Sequence, residues 1–257
     1  MKILRGCYGV GSLIYKLTSY RFITKKASKG SEFLPKEIRD KLFVSFASDL
    51  LKNFNVRDHC KSLPKIDRPS LVVGNHISYL DMPLVAKYCP ATFVAKEEVN
   101  SWPIFGKFNK QMRTISLKRS DKSSRSKAAE QIAASLRKQK DSVILFPSGT
   151  TSIEKSIMWK RGSFQIAEKY GIPIVPFRLQ YSPLRRAAFI GKDLLLPHIY
   201  RLSYHGPLDA YIEFADPLII TNAEKQLKEV QAWCQEPFVS KEAYDSLVGG
   251  KESFQLN

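Results

Sequence analysis

The stretch from Ser70 to Pro83 constrains this chain most, because it joins a short apolar strand to a histidine and a carboxylate five positions apart. The apolar residues 71–73 end at a glycine, which is typical of a buried strand followed by a turn. Asp81 precedes a proline and an apolar run, and this order predicts a helix with Asp81 as its N-cap. Such a turn would fold the Asp81 carboxylate back onto the His76 imidazole.

This pair of residues suggests proton-transfer chemistry. A histidine titrates near neutral pH and can accept a proton from an alcohol, while a carboxylate on its other ring nitrogen fixes the tautomer and the charge. His76 and Asp81 are therefore candidate catalytic residues. No serine or cysteine nucleophile is needed if the substrate itself carries the hydroxyl. The alternative is that His76 is a core histidine and Asp81 only caps a helix, and the pair alone does not separate the two interpretations.

Apolar runs alternate with helical stretches along most of the chain. This alternation predicts an α/β fold: a mixed, largely parallel sheet flanked by helices, with an N-terminal amphipathic helical segment. We expect strands at 71–73, 91–96, 113–119, 142–146, 174–179 and 210–214, and helices at 83–88, 123–138 and 162–170. Because apolar runs precede both the turn at His76 and the loop 147–152, these two should open onto one crevice.

The N-terminal residues differ in character from the rest. Residues 1–30 mix apolar side chains with Lys and Arg, as expected for a segment in a lipid headgroup layer, and equally for a helix packed on the protein's own core. Apolar residues then recur every fourth position from Leu34 to Phe54, which predicts an amphipathic helix with Lys36 and Arg39 on its polar side. We divide the chain into this membrane-associating segment (1–60), an α/β domain (61–235) and a tail (236–257).

The chain of 257 residues carries 41 Lys and Arg against 24 Asp and Glu, a net charge of +17. Such a charge attracts nucleic acid, anionic lipid or acidic substrates, and by itself does not choose among them. No zinc-finger, helix-turn-helix or RNP signature is present, so we expect no nucleic-acid partner. The four cysteines are scattered, which indicates reduced thiols in a cytosolic compartment and neither a zinc site nor disulfides.

From about residue 70 to 220 the sequence resembles the glycerolipid acyltransferase family, the lysophospholipid acyltransferases typified by 1-acylglycerol-3-phosphate acyltransferase. The family's Asn-His-(four residues)-Asp motif stands here as Asn75, His76 and Asp81. Its other blocks match, in order, Phe93–Lys96, Trp102–Pro103 with Gly106, Ile115–Arg119, Phe146–Ser152 and Ile174–Phe177. An ordered set of motifs is far more specific than a lone His and Asp.

The resemblance implies that His76 deprotonates a lysophospholipid hydroxyl, which attacks the thioester of acyl-CoA or an acyl carrier protein while Asp81 stabilises the imidazolium. It implies neither a metal nor a cofactor besides that thioester co-substrate. The reaction that the resemblance implies converts 1-acylglycerol 3-phosphate to phosphatidic acid. The implied location is the cytoplasmic face of an anionic membrane, peripheral or monotopic. The acceptor-binding residues that it implies are Arg119, Ser148, Gly149, Thr150 and Lys96.

Two positions depart from the family pattern. Ser148 stands where the family has glutamate, and Thr151 where it has arginine, so one anion and one cation tied to acceptor binding are missing. The acceptor could therefore be another lysolipid, such as a lyso amino-acid lipid. A serine hydrolase with Ser148 as nucleophile is a further alternative, although Phe146–Gly149 lacks the first glycine of the G-x-S-x-G elbow.

Overall fold

The computed structural model describes residues 2–31, 33–97, 109, 112–118 and 121–236. The helices span Lys2–Ala27 (α1), Lys36–Asn53 (α2), Asp81–Tyr88 (α3), Lys122–Arg137 (α4), Gly162–Tyr170 (α5), Leu184–Ala187 (α6), Leu195–Tyr204 (α7) and Ala223–Gln235 (α8). The strands span Val56–Ser62 (β1), Leu71–Gly74 (β2), Thr92–Lys96 (β3), Ile115–Leu117 (β4), Val143–Leu145 (β5), Ile174–Ser182 (β6) and Leu208–Phe214 (β7).

These strands form one sheet in the order β1-β7-β6-β2-β5-β3-β4. Within the described residues, β6 and β7 pair antiparallel and every other neighbouring pair is parallel. The predicted fold class, a mixed and largely parallel sheet flanked by helices, is confirmed. Because β2 lies between β5 and β6, the loops that follow β2 and β5 leave the sheet side by side at the same edge.

Helix α2 places two residues differently from the prediction. Arg39, expected on the polar side, is only 1% exposed and forms an ion pair with Asp141, which is also buried. It shares a helix face with Phe43 and Phe46, at i+4 and i+7, and that face packs inward. Ile38, expected in the apolar stripe, is instead partly exposed. The apolar stripe therefore predicted the helix and most of its buried face correctly, and only Arg39 and Ile38 were assigned to the wrong side.

Helix α1 packs against α7 through two glycines. A Cβ atom at Gly6 would lie 2.4 Å from the Tyr200 ring, and one at Gly9 would lie 2.2 Å from Ser203. One side of α1 thus lies on the protein, as the core-packing alternative expected, while its other side exposes several large apolar residues. Across the described part of the chain, no helix has both the length and the apolar character needed to traverse a bilayer.

Strand β1 and helices α6, α7 and α8 were not predicted. Residue 60, the predicted end of the N-terminal segment, falls inside β1, which pairs in parallel with β7. The side chains of β1 alternate between buried or half-buried and exposed, and the exposed ones include Arg57, His59 and Lys61. Polar residues of this kind gave the strand no apolar run from which to predict it.

Replacing Arg39 with methionine should lower the free energy of unfolding by about 3–5 kcal/mol, because it leaves the buried Asp141 carboxylate without its guanidinium partner. Urea denaturation followed by circular dichroism measures the change. The matched control is Arg57→Met, which breaks an exposed Arg–Asp pair and should leave the denaturation midpoint unchanged. Equal effects of the two substitutions would contradict the assigned role of the buried pair.

Candidate active site

The site begins where β2 ends. At Gly74 any Cβ atom would lie 2.4 Å from the ring and the carbonyl oxygen of Phe177 on β6, so only glycine allows this close approach. After β2 ends, the side-chain amide of Asn75 pairs with the backbone of β6 as a strand residue would. Its Nδ2 donates to the Leu179 carbonyl at 2.9 Å, and its Oδ1 accepts from the Leu179 N–H at 2.8 Å. These bonds fasten the chain to β6 immediately before His76.

His76 and Asp81 meet as predicted, with 2.7 Å between Nδ1 and Oδ2. Asp81 is fully buried, and its Oδ2 also accepts the backbone N–H groups of Ile77 at 2.6 Å and Ser78 at 2.9 Å. The expected N-cap role of Asp81 is wrong. Helix α3 begins at Asp81 itself after Leu80, and the carboxylate turns back to the preceding loop instead of capping the helix.

The second carboxylate oxygen of Asp81 accepts a hydrogen bond that the sequence did not suggest. The Tyr181 hydroxyl on β6 donates to Asp81 Oδ1 at 2.7 Å. Burial of Tyr181 raises its pKa well above 10.0, and the negative charge of Asp81 raises it further, so this hydroxyl remains a donor. The only signal in the sequence is a phenol within an otherwise mostly apolar strand, a hundred residues from its partner.

One face of the His76 ring packs on Phe146, the first residue after β5. The two rings are stacked, with 4.0 Å between centroids and an interplanar angle of 14°. Since Nδ1 faces Asp81, Nε2 is the nitrogen available to accept a proton, and no hydrogen bond to it is found among the described residues. The imidazole is held on both sides and still partly exposed, which is the arrangement a general base requires.

The loop 147–152 lies against the same histidine, as its position after β5 predicted. The Ser152 N–H donates to the His76 carbonyl at 2.8 Å, and Gly149 has a φ of +72°, which favours glycine. Ser148 donates its hydroxyl to the carbonyl of Thr150 at 2.8 Å, within the loop. The Ser148 hydroxyl thus donates within the loop, and among the described residues it has no hydrogen bond to His76, unlike the nucleophile of a serine hydrolase.

The remaining predicted site residues lie away from the pair formed by His76 and Asp81, called the dyad below, or outside the described residues. Lys96 is exposed at the end of β3, which β5 separates from β2, and it shares with His76 only the edge of the sheet. Arg119 lies outside the described residues, as do Trp102, Pro103 and Gly106. In the part of the chain that the structure covers, no group of three or more His, Cys, Asp or Glu could hold a metal ion.

A segment outside the predicted motifs also supports the catalytic loop, residues 75–80 between β2 and α3. The backbone of Phe189 bridges two loops: its N–H donates to the Ile77 carbonyl at 3.1 Å, and its carbonyl accepts the Thr151 hydroxyl. On α7, His198 donates from Nε2 to the Ala188 carbonyl at 3.0 Å, which leaves Nδ1 to accept the Tyr79 hydroxyl at 2.9 Å. Burial lowers the pKa of His198, in keeping with a neutral ring.

Comparison with known proteins gives three findings. Residues 52–180 match a family model described as Acyltransferase. The chain is 31% identical over 156 residues to a lyso-ornithine lipid O-acyltransferase of Pseudomonas aeruginosa (59% of this chain, 60% of that protein). It is 24% identical over 168 residues to a 1-acyl-sn-glycerol-3-phosphate acyltransferase of Neisseria gonorrhoeae (65% of this chain, 66% of that protein).

The fold has a solved counterpart, the 1-acyl-sn-glycerophosphate (LPA) acyltransferase PlsC from Thermotoga maritima. The TM-score is 0.71 at 18% identity, covering 99% of this chain and 100% of that one, so the likeness concerns the fold. The sequence matches are shorter, and the chain spans about 60% of the length of the Pseudomonas relative.

The neutral His198 makes stability depend on pH. Its pKa in the folded protein lies below the ordinary 6.5, so below that pH the unfolded chain binds more protons and the free energy of unfolding falls. The urea midpoint should therefore be lower at about pH 5.5 than at about pH 7.5. In His198→Asn, whose side-chain oxygen can still accept the Tyr79 hydroxyl, part of this difference should vanish.

The control for this measurement is Lys192→Asn, a substitution of an exposed side chain that does not titrate between these two pH values, and it should keep the full pH difference. An undiminished pH difference in the His198 variant would contradict the assignment.

Proposed function

Since the chain belongs to the acyltransferase family, we propose that it is an O-acyltransferase that moves a fatty acyl group from a thioester to the free hydroxyl of a lysolipid. The observation that carries this proposal is the contact between His76 and the buried Asp81 at the carboxyl end of β2, with Nε2 left for a substrate. A positioned imidazole with an ionised partner supplies the base that a hydroxyl nucleophile needs.

The residues account for the reaction in one direct transfer. Nε2 of His76 takes the proton of the acceptor hydroxyl as the hydroxyl oxygen attacks the thioester carbonyl carbon. Nδ1 keeps its proton toward Asp81, whose charge stabilises the imidazolium. As the carbon–sulfur bond breaks, the imidazolium returns its proton to the leaving thiolate, so His76 ends neutral and no enzyme-bound acyl group forms.

The acyl donor in this proposal is acyl-CoA or an acyl carrier protein. Both are anionic thioesters, and the net charge of +17 attracts either one. Exposed cations follow the loop 147–152 in the sequence, at Lys155 and Arg161, and Met158 between them is also exposed. Long-range attraction of this kind raises the association rate and weakens with salt.

For the acceptor, the ordered motifs favour 1-acylglycerol 3-phosphate, with Lys96 and Arg119 assigned to its phosphate. A second candidate, a lyso amino-acid lipid, is favoured by the loop geometry. Thr151 occupies the position of the family's arginine, and its hydroxyl is bonded to the Phe189 carbonyl, so it offers a phosphate no charge. The Pseudomonas relative, named for lyso-ornithine lipid, supports this second acceptor.

We also propose that the enzyme works at the cytoplasmic face of a membrane, bound peripherally or monotopically through α1. Tyr8, Tyr15 and Phe22 recur every seventh residue, so they share one helix face, and they are 77%, 73% and 69% exposed. Leu194 and Leu196 at the start of α7 are similarly exposed. Lys25 and Lys26 in the last turn of α1 add charge that suits an anionic surface.

Purified protein with a radiolabelled acyl thioester and a panel of lysolipids tests the function. The wild type should acylate 1-acylglycerol 3-phosphate, a lyso amino-acid lipid, or both, and His76→Ala should lower the rate by at least about 10³-fold, because it removes the base. His59→Ala, on the outer strand β1, is the matched control and should retain activity. Full activity in His76→Ala would refute the mechanism, and the preferred acceptor would rank the two candidates.

The double variant Tyr15→Glu/Phe22→Glu should bind anionic liposomes at least about tenfold more weakly in a sedimentation assay, because it places charge on the face assigned to the lipid. Tyr170→Glu, a partly exposed residue on α5, is the control and should leave binding unchanged. Binding of the wild type should weaken with salt and should not extend to duplex DNA. Equal binding by both variants, or stronger binding to DNA, would contradict the membrane proposal.

A further inference from the structure

We propose that Tyr181 is a positioning residue of the reaction: its hydroxyl holds the Asp81 carboxylate in the orientation that serves His76, and determines how strongly that carboxylate stabilises the imidazolium. The inference rests on the proposed function and deepens it. Tyr181 lies beyond the stretch matched by the family model, which ends at residue 180, and beyond the motif blocks of the sequence.

The donors to Asp81 are divided between its two oxygens. Oδ2 accepts His76 Nδ1 and the N–H groups of Ile77 and Ser78, all from the loop that precedes the carboxylate. Oδ1 accepts the Tyr181 hydroxyl, which comes from β6, the strand beside β2. Donors from the loop and from β6 oppose rotation of the carboxylate about its Cβ–Cγ bond. The orientation of the carboxylate, in which Oδ2 points at the imidazole, therefore depends on the Tyr181 hydroxyl as well as on the loop.

Burial makes the loss of this hydrogen bond energetically costly. Asp81 is fully buried and Tyr181 is 1% exposed, so bulk water does not replace the phenol if it is lost. The low local polarity strengthens the bond and makes an unsatisfied carboxylate oxygen costly. Asn75, the residue directly after β2, is itself hydrogen-bonded to Leu179 on β6, two residues before Tyr181. The strand that orients the phenol thus also fixes the start of the catalytic loop.

The hydrogen bond also affects proton affinity at the site. A hydrogen bond donated to a carboxylate stabilises its charge, so removing the phenol leaves more negative charge for the imidazolium to share. His76 then binds its proton more tightly and is a free base over a narrower pH range. Among the described residues, the titratable side chain that acts on Tyr181 besides Asp81 is Tyr79, which bonds to His198 on α7 and not to Asp81. Charged groups further out are Arg185, Asp193 and Arg201, which act on Tyr79 or His198.

The test is Tyr181→Phe in the full chain, which removes one oxygen and keeps the ring. Proton–carbon NMR on protein labelled at its four histidines follows the titration of each ring, and His76→Ala assigns the signal of His76. The titration midpoint of His76 should rise by roughly half a pH unit. The kcat for acyl transfer should fall about tenfold with an unchanged KM for the lysolipid, because Tyr181 orients a catalytic group and is not placed against the substrate.

The matched control is Tyr88→Phe. Tyr88 on α3 also donates its hydroxyl to a carboxylate, that of Asp58 on β1, away from the dyad. This substitution removes the same kind of hydrogen bond and should leave the His76 midpoint and the pH profile of kcat unmoved. A His76 midpoint that stays or falls in Tyr181→Phe, or an equal shift in both variants, would overturn the inference.

Two further measurements keep the result decisive. If Tyr181→Phe does not fold, replacing Tyr181 with 3-fluorotyrosine keeps the hydroxyl and makes it a stronger donor, and the His76 midpoint should then fall; a midpoint that stays or rises would overturn the inference. If the wild type transfers no acyl group to any lysolipid while the midpoint shifts as expected, the proposed function fails and the coupling of Tyr181, Asp81 and His76 stands.

Discussion

The structure around the site depends on the burial of one charge, the Asp81 carboxylate. Taking a carboxylate out of water costs several kcal/mol unless donors surround it. Asp81 obtains them from His76, from the two following amides and from Tyr181. Each donor requires its own element to be in place: the loop must turn tightly after β2, and β6 must lie beside it. The electrostatic demand of a single group thus links the folding of the sheet to the geometry of the base.

The order of the strands makes this arrangement possible. With β5 on one side of β2 and β6 on the other, the end of β2 has a neighbour in each direction. Phe146 after β5 packs on one face of the imidazole, and residues of β6 fix the loop and the carboxylate. The chain therefore brings together residues separated by up to about a hundred positions around a motif of only six.

How far the sequence predicts this molecule follows from the range of each interaction. The contact of His76 with Asp81 is local, and the main strands were readable because their buried positions are apolar in succession. Tyr181 and the ion pair of Arg39 with Asp141 span about a hundred residues each, and nothing near either partner marks the other. A polar residue that is buried because of a distant partner interrupts the helical repeat of apolar residues from which the buried face is predicted. For this reason Arg39 was assigned to the wrong side of α2.

Helix α7, which was not predicted, joins the outer surface to the active site. On one side it lies against Gly6 and Gly9 of α1, where small residues allow close packing. On the other, His198 accepts the Tyr79 hydroxyl from within the six-residue motif that begins at His76. Burial raises the pKa of Tyr79 and lowers that of His198, so this hydrogen bond joins two neutral groups and needs no solvent counter-charge. Helix α1, whose far side carries the exposed aromatic face, is therefore connected to the loop that holds the base through packed and hydrogen-bonded side chains.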